Sequence, residues 1–271
     1  MRRLLIRPGA IGDCIVAIPA LEYLRTHYTE VWVPSPLVPL IAFADRVRSL
    51  ASTGIDLVGV GDLEMPEPLK TYLQSFDSVV SWYGSNRPEF RHALTSLGVP
   101  CEFHQALPPA GYSGHAVDFF ASQVGAPLGQ RPRIRMHSAS GPRDSIVIHP
   151  FSGSIAKTWP ASRFRELALK LTCKVEWTAG PEDDWPDATR FANLAELAGW
   201  VAGARLYIGN DSGIAHLAAA AGVSTLVLFG PSSPQLWAPR GREVAVLAAD
   251  PLERLAVEAV LETANRLLGY R

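Results

Sequence analysis

Three short segments of this chain collect residue types suited to an anionic, hydroxyl-bearing ligand. The first is Gly9-Ala10-Ile11-Gly12-Asp13, which follows a short apolar run. Gly9 and Gly12 permit a tight turn and close approach of backbone to ligand, and a helix opening there would aim free amides at an anion. Asp13 reads two ways: as an N-cap accepting amide hydrogen bonds, or as a carboxylate that takes a proton from an attacking hydroxyl.

The second segment runs from His149 to Pro160, HPFSGSIAKTWP. Ser152, Gly153 and Ser154 offer hydroxyls and amides to an anion. Lys157 is one of four lysines against 21 arginines. It reads either as a solvated loop lysine or as an ammonium that neutralises a departing diphosphate. Trp159 is expected to anchor the loop by packing, and His149, at a strand end, to be a satisfied core histidine.

The third segment is Gly209-Asn210-Asp211-Ser212-Gly213, with His216 about one turn into the alanine-rich run that follows. Asp211 and Ser212 are capping types, and the free amides of a first helical turn suit a phosphate. Asp211 could then direct its carboxylate at sugar hydroxyls; the alternative is a well-capped buried helix. A fourth run, Gly180-Pro181-Glu182-Asp183-Asp184, could hold ribose hydroxyls or a divalent ion, or be a solvated loop.

These segments need elements to position them. Strands are expected at Arg3–Arg7, Glu30–Val33, Ser78–Trp82, Ile146–His149, Lys174–Thr178, Arg205–Ile208 and Ser224–Phe229. Helices are expected at Cys14–Tyr28 (with Pro19 as a kink), His115–Val124, Ser162–Leu171, Leu194–Ala202, Gly213–Ala221 and about Leu252 to Leu268. Strands alternating with helices imply parallel sheets built from βαβ units. The polar, Gly-Pro-broken stretch His137–Ser145 reads as a linker, dividing the chain into domains 1–137 and 138–271. Ligands in such folds gather at the C-terminal ends of the strands.

Bulk properties exclude several classes. The 271 residues are 48% hydrophobic and 19% charged, with a net charge of −1, which is ordinary globular composition. Neither half carries a basic excess, so nucleic acid is not an expected partner; Arg131, Arg133 and Arg135 read as a solvated run. Cys14, Cys101 and Cys173 lie too far apart for zinc spacing and fit a reducing cytosol. Arg7, Pro8 and Asp13 interrupt the opening apolar run before it reaches signal-peptide length. The uncharged stretch from Ser212 to Pro239 is cut by Gly222, Gly230-Pro231 and Pro234 into pieces too short to cross a bilayer. The first turn lacks GxGxxG, and Pro34 stands where a dinucleotide-binding strand would end in an acid, which disfavours a dehydrogenase.

Taken in order, RLLIRPGAIGDCIVAIPALEYLR, HPFSGSIAKTWPASRFRELA and YIGNDSGIAHLAAAAGVSTLVLFGPSSPQLWAPRG resemble glycosyltransferase family 9, the lipopolysaccharide heptosyltransferases. The resemblance implies an α/β GT-B fold: two Rossmann-like, doubly wound parallel-sheet domains facing across a cleft, the N-terminal one on the acceptor side and the C-terminal one binding the donor. It implies inverting, metal-independent transfer, typically of heptose from ADP-heptose to a lipopolysaccharide core sugar or related glycan, with no cofactor. It implies a cytoplasmic protein, peripheral to the inner membrane where the acceptor is a glycolipid. By motif match Asp13 would be the general base and Gly9 and Gly12 the acceptor-side loop. Lys157, helped by Ser152, would hold the diphosphate. Asp211 would bind donor sugar hydroxyls, Ser212, Gly213 and His216 would line the phosphate site, and Glu182 would match a nucleoside-holding carboxylate. Domain closure is expected in the cycle. The chain is short for the family, in the N-terminal half. Two rivals remain: a nucleotide-sugar epimerase of the same architecture, and a nucleotide-sugar-binding protein without transferase activity.

Overall fold

The computed structural model describes residues 1–61, 64–136 and 139–270. The chain forms two compact units. One comprises Met1–Tyr112 with Ala116–Leu128; the other comprises Ser113–His115 and the chain from Gly129 onward. The division thus falls at Leu128/Gly129, with a three-residue segment before α4 that packs in the second unit. The expected 137/138 boundary, at His137 and Ser138, lies outside the described residues.

The first unit contains β1 (Arg2–Ile6), α1 (Ile11–Tyr23), β2 (Tyr28–Val33), β3 (Arg46–Ser49), α2 (Glu67–Gln74), β4 (Ser78–Ser81), α3 (Pro88–Thr95), β5 (Cys101–Phe103) and α4 (Ala116–Gln123). All strand pairs are parallel, in the order β3-β2-β1-β4-β5. Central β1 is apolar without alternation because both of its faces are covered. Leu4 and Ile6 pack with Trp32, Val79, Phe90 and Leu94 on one face, and α1 lies beside α4.

The second unit contains β6 (Ser145–His149), α5 (Ala161–Lys170), β7 (Lys174–Trp177), α6 (Leu194–Val201), β8 (Leu206–Asn210), α7 (Gly213–Ala220), β9 (Thr225–Phe229), α8 (Pro234–Trp237), β10 (Val244–Ala248) and α9 (Val257–Leu267). Its sheet is also parallel, in the order β10-β9-β8-β6-β7. Residues of β6, β8 and β9 pack with Trp159, Phe164, Val260 and Ala264 in one core.

Several expected elements shift. Helix α1 begins at Ile11 and ends at Tyr23, because Tyr28 already pairs with Arg2 in the sheet. The expected final helix is broken into one tight turn, Leu252–Arg254, and a separate α9. Strands β3, β5 and β10 and helices α2, α3 and α8 were not among the expected elements. The three strands are sheet edges and partly exposed; β3 (RVRS) and β5 (CEF) have short or diluted apolar patterns, whereas β10 (VAVLA) is a continuous apolar run. Among the described residues, no helix is long and apolar enough to cross a membrane. The uncharged stretch after Asp211 is divided among α7, β9 and α8.

Candidate functional site

Strand order selects where each sheet can bind a ligand. In a doubly wound sheet the crevice opens where neighbouring strands send their connections to opposite faces. In the first unit that point lies between β1 and β4, and the loop leaving β1 carries Gly9–Asp13. In the second unit it lies between β6 and β8, whose outgoing loops carry Ser152–Lys157 and Asp211–Ser212. Both loop sets therefore stand at the positions their folds reserve for ligands.

At the first of these, Ala10 occupies the N-cap of α1, and Asp13 is the third helical residue. The expectation of Asp13 as the N-cap is corrected accordingly. Its Oδ2 reaches back to accept the Ala10 N–H at 3.1 Å, which is half of a capping box. Asp13 remains partly exposed, and a carboxylate holding one amide keeps lone pairs for a second partner. Gly9 has φ of +124°. A Cβ there would lie 2.9 Å from the Asp13 Cβ and 3.3 Å from its Oδ2. Gly12, inside the first turn of α1, needs no such conformation. Gly9→Ala is expected to cost about 1–3 kcal/mol in backbone strain and to displace the Asp13 carboxylate. Urea unfolding together with a transfer assay checks this, and unchanged activity would exclude the loop from the reaction.

Arg7, expected to end the first strand and to interrupt the opening apolar run, proves structural here. It is fully buried. It donates to the Asp13 carbonyl (2.8 Å) and the Ala106 carbonyl (3.1 Å), with its guanidinium 4.4 Å from the centre of the Phe120 ring. Burial lowers its pKa, opposed by the nearby Cys14 and Asp13.

At the second position Lys157 Nζ lies 2.8 Å from Asp211 Oδ2. Asp211 is 8% exposed and Lys157 37%. A carboxylate this buried needs a cation or several donors. Lys157 supplies one donor and the Ser232 hydroxyl, on the loop after β9, supplies another. An ammonium has three donors, so the pair leaves Lys157 capacity for a further anion.

The loop is held by Asn210, a residue sequence reading passed over between the more conspicuous Gly209 and Asp211. Asn210 is fully buried. Its Oδ1 accepts the Trp159 N–H (2.9 Å), and its Nδ2 donates to the Pro150 carbonyl (2.9 Å). Trp159 is buried too, and its indole N–H donates to the Leu255 carbonyl at 3.0 Å. It is a packing anchor, as expected. His149 likewise is a satisfied core histidine, 2.9 Å from the Thr178 carbonyl. Burial lowers its pKa, with opposition from that carbonyl and from Asp183.

Ser212 is the N-cap of α7, and its side chain accepts the Ala215 N–H. Asp211 stands just outside the helix, free of capping duty. The first amides of α7, beginning with Gly213, have no acceptor within the helix. His216 is buried, and desolvation pushes its imidazole down to about 4; Asp211 opposes this while His115 and Lys157 reinforce it. His115 enters through the segment that packs with this unit, with its Nε2 2.8 Å from the Ala238 carbonyl.

Ser152 and Glu182 are the two remaining residues expected to touch the donor. The Ser152 hydroxyl is engaged inside its own loop, with the Ser154 carbonyl (2.7 Å) and the Thr158 hydroxyl (2.9 Å). Glu182 is exposed, while its neighbour Asp183 accepts the Gly180 N–H at 2.7 Å and shapes the turn. Among the described residues, no group of three or more His, Cys, Asp or Glu side chains could hold a metal ion.

Lipopolysaccharide heptosyltransferase 1 of Pseudomonas aeruginosa is 29% identical over 193 residues, covering 62% of this chain and 53% of that protein. The chain spans about half the length of the curated relatives it matches. The crystal structure of the family 9 glycosyl transferase of Veillonella parvula aligns with a TM-score of 0.79 at 19% identity, covering 98% of this chain and 97% of that one. The E. coli heptosyltransferase WaaC with ADP aligns at 0.70 and 18% identity, covering 98% and 100%. At such identities the likeness is one of fold, and it is the GT-B fold of two parallel-sheet α/β domains. The model of glycosyltransferase family 9 (heptosyltransferase) matches residues 115–258. That match takes in more than half of the chain and contains both the Lys157 loop and the Asp211 turn, and this chain therefore belongs to glycosyltransferase family 9.

Proposed function

We propose that the protein is an inverting, metal-independent glycosyltransferase that moves heptose from ADP-heptose to a lipopolysaccharide core sugar or a related glycan. The observation that carries this reading is the Lys157–Asp211 pair at the switch point of the second sheet, beside the open N-terminus of α7. A nucleoside diphosphate sugar presents the two features such a site suits: anionic oxygens for the ammonium and amides, and hydroxyls for the carboxylate.

In the reaction, Asp13 accepts the proton of an acceptor hydroxyl as that oxygen attacks the anomeric carbon. The bond from that carbon to the diphosphate oxygen breaks, and the configuration inverts. Negative charge developing on the diphosphate is met by Lys157 and the first amides of α7. Lys157 supplies positive charge that a divalent ion would otherwise bring. The donor side belongs to the second unit and the base to the first. The P. aeruginosa relative is a lipopolysaccharide heptosyltransferase and a structural relative holds ADP, which favours that donor and acceptor class. Placement in the cytoplasm, at the membrane face where a glycolipid acceptor would be reached, follows from the same reading.

Thermal unfolding with ADP, UDP, GDP and NAD is the direct test. Ligand at about 100 times its dissociation constant adds about 2.7 kcal/mol, enough to raise the midpoint by a few degrees. ADP alone should do so, with or without EDTA, and Lys157→Ala should weaken the effect. A response selective for UDP or GDP would discard heptose, and dependence on a metal would discard the metal-free mechanism. Conversion of ADP-heptose without an acceptor would favour an epimerase, and binding without any turnover a scaffold.

A further inference from the structure

Tyr207, on β8, is fully buried, and its hydroxyl makes no hydrogen bond of ordinary geometry. Such orphaned groups are rare, and each calls for a reason; phenylalanine would fill the same space without the cost of an unpaired hydroxyl. The ring lies along the strand toward its C-terminal end. A Cβ on Gly209 would stand 2.5 Å from the phenolic oxygen and 3.0 Å from the His149 carbonyl. Glycine at 209 is therefore what lets the phenol reach the end of the sheet. Its polar neighbour there is the side chain of Ser212, the N-cap of α7. Burial raises the Tyr207 pKa and the nearby Ser212 side chain opposes this only in part, so the group is a neutral hydroxyl throughout the physiological range.

Ser212 Oγ already accepts the Ala215 N–H, over a long 3.4 Å. A serine hydroxyl has two lone pairs and one proton. Once a second donor fills the remaining lone pair, the proton is left to point outward, toward the open end of α7. A hydrogen bond to an anion strengthens the one feeding it.

We infer that Tyr207 is a positioning residue of the diphosphate site: when a nucleoside diphosphate binds at the N-terminus of α7, the phenol donates to Ser212 Oγ and Ser212 donates to a phosphoryl oxygen. This rests on the donor reading above. In that arrangement the Tyr207 hydroxyl gains the partner it otherwise lacks, so binding offsets the cost of burying it unpaired.

Tyr207→Phe, Ser212→Ala, Ser212→Thr and the double variants with Tyr207→Phe test this by calorimetric titration with ADP and with adenosine, alongside thermal unfolding. Tyr207→Phe should leave the unliganded midpoint unchanged or higher and weaken ADP binding about tenfold, with adenosine unaffected. The loss should persist in the Ser212→Thr background, where the hydroxyl is retained, and vanish in the Ser212→Ala background. Unaltered ADP affinity in Tyr207→Phe, or a loss independent of the residue at 212, would overturn the inference while leaving the donor reading intact. Failure of the unsubstituted protein to bind ADP would remove the donor reading, and this inference with it.

Discussion

Asp13→Asn is expected to lower transfer by about 10²–10⁴-fold while the rise in unfolding midpoint on adding ADP stays as in the unsubstituted protein. The substitution separates the two roles the carboxylate can have. Asparagine keeps an oxygen for the Ala10 N–H, which Asp13 holds at 3.1 Å, so the start of α1 survives. What it loses is the capacity to take a proton. Asp13→Ala removes both functions and should add a stability loss of about 0.5–2 kcal/mol, the usual range for a helix cap. A transfer assay beside thermal unfolding distinguishes the cases. Full turnover in Asp13→Asn would leave Asp13 as a helix-start residue only and place the base elsewhere. Equal loss of turnover and of ADP binding would show that the change had spread beyond the acceptor side.

Asn210→Leu is expected to destabilise the second unit by about 2–6 kcal/mol, because two buried backbone groups lose their partners and each costs about 1–3 kcal/mol when unpaired. Those groups are the Trp159 N–H and the Pro150 carbonyl, both 2.9 Å from the Asn210 amide. They bracket the loop that carries Lys157, so the same substitution should weaken ADP binding without touching a ligand-facing residue. Urea unfolding reads the first effect and calorimetry the second. A loss below about 1 kcal/mol, outside the range for unpaired buried groups, would mean that Trp159 packing alone holds the loop. Intact ADP binding in a destabilised variant would separate loop anchoring from the ligand site.

Much of this protein was determined by its sequence alone. Continuous apolar runs such as Leu4–Ile6 and Leu226–Phe229 are buried on both faces, and that burial made the central strands legible. The Gly-Asn-Asp-Ser-Gly turn announces a helix start because its residue types compete with helix and favour caps. The edge strands β3 and β5 were not legible, since their partly buried residues give only short or diluted apolar patterns. The edge β7 was expected because Val175 and Trp177 alternate with charged residues, and β10 (VAVLA) had a readable apolar run that went unassigned.

The tertiary structure decided the pairings between distant positions. Lys157 and Asp211 are 54 residues apart, and neither residue type reveals that the two are partners. Ser232 joins them from a third loop. Asn210 carried no assigned role within its turn, yet its amide bridges to a loop 51 and 60 residues away. Arg7 looked like a charge ending a strand, and it is buried beneath the Asp13 helix. Ser152 offered a hydroxyl on paper that the folded loop uses internally. Local propensity and periodicity act over a few residues and specify elements. Which side chains complete one another's hydrogen bonds and charges depends on the order in which a sheet stacks its strands, and only the fold sets that.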